Sequence, residues 1–300
     1  MKGFLLKLVS FSIAVAWSVG FIFWQADGRS DSFYLRFTTP KQNSLILGSS
    51  RSAQGLQPQV FNQVLFRNDI YNYSFTVGRS PFGPAYLKGI KKKLMSGAHD
   101  GIYIIGVDPW LISNTSEDPN NVEEFGEKDW FLGSSFSVCQ KPNFPYLIKD
   151  YDDMYVKILI NNSLVFLHDD GWLEVKVKNT EDQVREKIDK TVKNYTIRAL
   201  ENSYSKTRME YLGKTIEFLK QHGKVYLIRL PIPSKMKDLE DHFMPDFNLK
   251  IDSLARKNDC NYLDLTKSSE NFKFNDGSHL TPVSGKEVSK IIANWINSLK

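Results

Sequence analysis

The sequence predicts an α/β protein with a five-stranded parallel sheet, preceded by an N-terminal membrane-spanning helix. Two observations carry this. From Ser44 onward, short and wholly apolar runs alternate with stretches of helical periodicity, and that alternation builds a parallel sheet covered on both sides by right-handed crossovers. Before it, the run Phe4 to Trp24 is apolar apart from Lys7, three serines and Gly20, and as a helix it spans roughly 30 Å, the thickness of a bilayer core.

The elements follow in chain order. Residues 1–25 read as an uncleaved signal anchor, because Trp24-Gln25-Ala26 sets an indole where signal cleavage wants a small side chain. Lys2 and Lys7 mark the cytoplasmic end, which leaves the rest of the chain outside a cytoplasmic membrane. Residues 26–43, polar and mixed, read as a tether. Leu45-Ile46-Leu47 is the first strand, residues 57–66 a helix with Pro58 in its first turn, Ile70–Tyr73 the second strand, and Pro84–Ser96 a helix. Ile102–Ile105 is the third strand. Regularity lapses after it, and residues from about 112 to 200 read as an insertion in a domain that occupies 44–300. Within 181–221 the apolar spacing suits one long or two shorter amphipathic helices. Lys224–Ile228 is the fourth strand, a helix follows near 238–257, Tyr262–Leu265 is the fifth strand, and the last helix runs from Pro282 to Leu299. This alternation predicts a flavodoxin-like, three-layer α/β/α domain.

Composition excludes some functions. A net charge of +5 with no basic cluster beyond Lys91-Lys92-Lys93, read as the solvated face of a helix, gives no footprint for nucleic acid. Cys139 and Cys260 are too few for a disulfide framework, although outside the membrane they are free to pair. No Cys and His spacing suits a metal, so neither a metal nor another cofactor is expected.

The chemistry concentrates at two places. Gly48-Ser49-Ser50 follows the first strand, where Gly48 allows a sharp turn and Ser50 opens a helix. The bland reading of Ser49, Ser50 and Ser52 is helix capping. Asp276-Gly277-Ser278-His279 precedes the last helix. An acid three residues before a histidine can accept the Nδ1 proton and leave Nε2 as a base toward Ser50, while Asn275-Asp276-Gly277 is also good turn chemistry. Ser50, Gly78 and Asp108 all fall just after predicted strands, where parallel sheets gather their sites, and His279 falls between the fifth strand and the last helix. Gly78 and the Ser50 amide are candidate donors to an oxyanion. Arg229 suits either a substrate anion or an ordinary salt bridge. Trp130, Phe131 and Trp172 suit either a sugar or acyl groove or the insertion's own core.

The order of Gly-x-Ser after strand one, Gly78 after strand two, Gly106-Val107-Asp108 after strand three and Asp276-x-x-His279 before the last helix resembles the SGNH (GDSL-type) hydrolase superfamily. The Gly-Ser-Ser form with an N-terminal anchor is similar to its extracytoplasmic branch, which includes the D-alanyl-lipoteichoic acid and alginate O-acetylation proteins. The resemblance implies Ser50 as nucleophile, His279 and Asp276 as the rest of a triad, and Gly78 in the oxyanion hole. It also implies a serine esterase or O-acyltransferase acting on an envelope polysaccharide or an acyl-carrying lipid, with a membrane-bound O-acyltransferase as partner. Asp108 departs from the pattern, since the family places Asn there, and an ionised Asp would repel an oxyanion. That departure raises a second expectation, a non-catalytic accessory subunit of a membrane acyltransferase.

Overall fold

The computed structural model describes residues 1–160 and 163–299. Strands β1 (Ser44–Leu47), β2 (Ile70–Asn72), β3 (Gly101–Gly106), β4 (Gly223–Arg229) and β5 (Asn261–Asp264) form one parallel sheet in the order β2–β1–β3–β4–β5. Their side chains alternate between two cores. Leu45, Leu47, Tyr103, Ile105, Val225 and Leu227 enter one, and Ile46, Ile102, Ile104, Tyr226 and Ile228 the other. Burial on both faces explains why β1, β3 and the Val225–Ile228 part of β4 read as continuous apolar runs, whereas the edge strand β5 is only partly covered.

Helices fill both cores. Helices α3 (Pro58–Leu65) and α9 (Pro282–Ser298) cover one face through Phe61, Leu65, Val288, Ile292 and Ile296. On the other, α4 (Pro84–Lys93), α6 (Lys206–Lys220) and α8 (Phe247–Lys257) contribute Tyr86, Ile90, Leu212, Ile216 and Ile251. The short α2 (Ser50–Gly55) follows β1 at the carboxyl end of the sheet. The helical pattern of 181–221 resolves into α5 (Glu181–Glu201), with a Thr180/Gln183 capping box, and α6. The single helix expected near 238–257 is also two, α7 (Ser234–Phe243) and α8, parted by Met244 to Asp246 around Pro245. The insertion leaves and rejoins the domain at a two-residue antiparallel ladder, Ser113–Asn114 against Ser203–Tyr204.

Helix α1 (Lys2–Trp24) is the one described helix long and apolar enough to cross a membrane, with mean hydropathy 1.9. Residues 26–43 are not a tether. Tyr34, Leu35, Arg36 and Phe37 form a buried 3-10 turn, and Phe37 packs its ring against Phe75, Phe131 and Tyr146. Burying each such aromatic is worth about 1.5–3 kcal/mol, which holds the segment in the domain. The wholly buried Arg36 escaped a polar-linker reading because it donates to the carbonyls of Ser32, Asn72 and Gly171 rather than to an acid. Burial lowers its guanidinium to about 10.

The lysine triplet is not wholly solvated either. Lys93 is buried beneath Tyr71 and Tyr73 and donates to the carbonyls of Arg36, Thr39 and Val138. Burial pushes its amine down to about 7. Cys139 and Cys260 are both free thiols.

Candidate active site

The turn after β1 is built around Gly48, whose φ of +137° disfavours any residue with a side chain. A Cβ there would also stand 2.4 Å from the Ser52 hydroxyl and 3.0 Å from the Gly106 carbonyl. Gly48 donates its N–H to the Tyr86 hydroxyl at 3.0 Å, and its carbonyl accepts from Phe75 N and Ser80 Oγ. Fixed this way, the chain enters α2 with Ser50 in the first turn. The first hydrogen bond of that helix runs from the Ala53 N–H to the Ser49 carbonyl, so the Ser50 amide has no partner within the helix.

His279 rides on a small hairpin. Phe274 and Leu280 bridge, Asn275 N–H donates to the His279 carbonyl at 2.8 Å, and Thr281 N–H to the Lys273 carbonyl at 3.0 Å. Asp276 Oδ1 accepts the amides of Ser278 (2.7 Å) and His279 (2.9 Å), while Oδ2 lies 2.9 Å from His279 Nδ1. Burial alone would raise this carboxyl, but the contacts to His279 and these amides outweigh it and hold it below the ordinary range. His279 Nε2 lies 2.8 Å from Ser50 Oγ, across 229 residues of sequence.

Packing between α2 and α9 sets that distance. A Cβ on Gly285 would stand 2.9 Å from the Gly55 carbonyl, so the two backbones meet without a side chain between them. Gln57 N–H then donates to Ser289 Oγ at 2.9 Å. On the other side of the hairpin runs α5, where a Cβ on Gly277 would strike Thr191 at 2.6 Å.

The structure thus brings together Ser50, His279 and Asp276, and it does not add the other three sequence-derived candidates to them. Gly78 sits at the exposed tip of a turn whose base is tied to Thr76 and Gly48 by Ser80, and a Cβ on it would meet no atom within 4 Å. Asp108 is buried and turned into the fold. Its Oδ1 accepts the amides of Trp110 and Leu111, and its Oδ2 accepts the Ser49 hydroxyl at 3.0 Å. Burial raises its carboxyl, an effect that Arg51 partly offsets. Arg229 is 2% exposed and faces Glu240 at 3.1 Å, Asp241 at 3.3 Å and the Asn248 amide oxygen at 3.1 Å, the arrangement of a buried salt bridge.

Sequence reasoning missed the centre of this buried layer, Glu240. Its carboxylate takes Arg51 at 2.6 Å, Arg229 at 3.1 Å and the Trp110 indole N–H at 2.7 Å. Burial works against the Arg51 charge, but Glu240 and Asp108 outweigh it and hold the guanidinium firmly protonated. Arg51 adjoins Ser50, so the layer braces the serine turn from beneath. The only sequence signal was an arginine directly after the serine pair. Phe131 belongs to the core, and Trp172 donates to the Gln54 carbonyl at 2.9 Å. Among the described residues no group of three or more His, Cys, Asp and Glu side chains is placed to hold a metal ion.

No model of a known protein family matches this chain, and no curated protein matches it.

Proposed function

We propose that this protein is a membrane-anchored serine esterase or O-acyltransferase with Ser50 as nucleophile. The observation that carries the reading is the unbroken relay from Ser50 Oγ through His279 to Asp276. In this reading Ser50 Oγ attacks an acyl carbonyl and His279 Nε2 takes its proton. Asp276, held ionised by its contacts, stabilises the imidazolium. The tetrahedral oxyanion collapses, the leaving alkoxide takes the proton from His279, and the acyl group stays on Ser50 as an ester. Water or an acceptor hydroxyl, deprotonated by His279, then attacks the ester, and the acyl–Oγ bond breaks as His279 returns the proton to Ser50. The Ser50 amide at the head of α2 is the donor available to the oxyanion.

The resemblance to SGNH hydrolases supports this, as does the strand order, which we read as the flavodoxin-like three-layer form with Ser50 beside its β1/β3 switch point. Helix α1 serves as a single-pass anchor, and Lys2 and Lys7 keep its start in the cytoplasm. The substrate class is then an envelope polysaccharide or an acyl-carrying lipid, with a membrane-bound O-acyltransferase as the natural partner.

One observation favours the second reading, an accessory subunit of such an acyltransferase. Asp108, at the position where SGNH enzymes place an oxyanion-binding Asn, is committed to Ser49, Trp110 and Leu111. Fluorophosphonate labelling of the full-length protein in detergent separates the two. Labelling that is lost in Ser50→Ala and weakened in His279→Ala supports the enzyme. A folded, unlabelled parent supports the accessory subunit.

A further inference from the structure

The outward end of α1 does not stand clear of the domain. Phe23 is buried, with its ring centroid 5.7 Å from that of Phe144 and 5.0 Å from that of Tyr155. The helical turn Val156–Leu159 packs on α1 as well. Around this contact the insertion presents apolar side chains to solvent. The short helix Phe144–Lys149 buries Tyr146 and Leu147 but exposes Phe144 (40%) and Ile148 (69%). The stretch after it exposes Met154 (63%), Val156 (49%), Leu159 (49%) and Ile160 (69%). Outside this stretch and α1, exposed apolar residues come singly, as at Phe66, Leu249 and Val283, or in twos, as at Ile197 and Leu200. A concentration like this one marks a surface that meets an apolar partner.

The position of the patch along α1 identifies that partner. The 23 residues of α1 rise about 34 Å, slightly more than the roughly 30 Å of a bilayer core. Phe23 and Trp24 therefore lie at the outer boundary, where aromatic residues concentrate. Side chains packed on Phe23 lie at the same depth. Trp24, Tyr155 and Phe144 extend the aromatic belt from the helix onto the domain, and Ile148, Met154, Val156, Leu159 and Ile160 are their exposed apolar neighbours in the chain.

We infer that the Phe144–Ile160 face of the insertion docks into the outer lipid interface of the membrane that α1 crosses, so that the domain is held flat against the bilayer. The inference rests on α1 being the anchor proposed above. Lipid suits this surface because the patch is continuous with a lipid-facing helix. Lipid requires no shape complementarity, only exposed apolar side chains such as Ile148, Met154 and Ile160.

The test uses the full-length chain reconstituted in vesicles of phosphatidylcholine and phosphatidylglycerol. Single cysteines at Leu159→Cys, Leu249→Cys and Val15→Cys, each in a Cys139→Ser, Cys260→Ser background, carry an environment-sensitive dye. Docking predicts blue-shifted emission at position 159 and several-fold stronger quenching by nitroxide lipids there than at 249. A dye at 159 that stays in water overturns the inference. So does one that is shielded yet not quenched by lipid, which would mean that a second copy or another protein covers the patch. An unquenched dye at Val15 removes the anchor reading and this inference together, whereas quenching at 15 without quenching at 159 removes this inference alone.

Discussion

Replacing Glu240 with alanine removes the shared acceptor of Arg51, Arg229 and the Trp110 indole, at 2.6, 3.1 and 2.7 Å. The two guanidiniums are not left equally exposed to the loss. Arg229 keeps Asp241 and Asn248, but among the described residues Arg51 keeps only Asp108 as an ion-pair partner, at 4.0 Å. Stranding one partner of a buried ion pair costs about 3–5 kcal/mol, a large share of the about 5–15 kcal/mol that holds a folded protein together. At about 2–4 °C per kcal/mol for a domain of this size, the melting temperature of Glu240→Ala should fall by about 6–20 °C. Glu240→Gln keeps an oxygen for the Trp110 N–H or for one arginine, so its loss should be smaller. Because Arg51 follows Ser50 directly, the rate of fluorophosphonate labelling should also drop in Glu240→Ala at temperatures where it remains folded. The assay is a thermal melt beside a labelling time course on the same preparations. A Glu240→Ala protein that melts and labels like its parent would refute the claim that this buried layer braces the serine turn.

Asp276→Asn should leave the hairpin in place, since an amide oxygen still accepts the Ser278 and His279 amides, yet slow labelling by about 10³–10⁴ through the wrong imidazole tautomer. Lys93 should make stability rise with pH. Its folded-state amine is lowered to about 7, so between that value and the unfolded value of about 10.4 the unfolded chain binds the extra proton. Melting temperatures at pH 6.5 and pH 9 should therefore increase in the parent, and Lys93→Met should flatten that slope. Gly48→Ala combines a positive φ with a 2.4 Å approach to Ser52, and should destabilise by about 1–3 kcal/mol in a denaturant titration while slowing labelling.

The sheet was legible because its inner strands are buried on both faces, which forces runs such as Ile102–Ile105 to be apolar at every position. Asp276 and His279 were legible because three residues of spacing already place their side chains within reach, and Ser50 because it opens a helix directly after the turn that follows β1. What escaped depends on tertiary partners. Arg36 and Lys93 look solvated in sequence, and only carbonyls brought in from distant loops make their burial tolerable. Glu240 reads as one polar residue on an amphipathic helix. Nothing local announces that Arg51, Arg229 and Trp110, from three different segments, converge on it. Gly78 was placed by its position after a strand, but a strand end fixes where the backbone leaves the sheet and not which way a loop then folds.

The close approach of α2 and α9 at Gly55 and Gly285 also determines when the relay exists. Ser50 comes from the turn after the first strand of the sheet to be made, and its base comes from a hairpin laid down after the last. Every strand between them must be in register, and α9 must seat on the backbone of α2, before the imidazole meets the hydroxyl. A nascent or misassembled domain carries its serine without a base. The contact between Ser50 Oγ and His279 Nε2 is therefore a property of the assembled sheet and not of either segment alone.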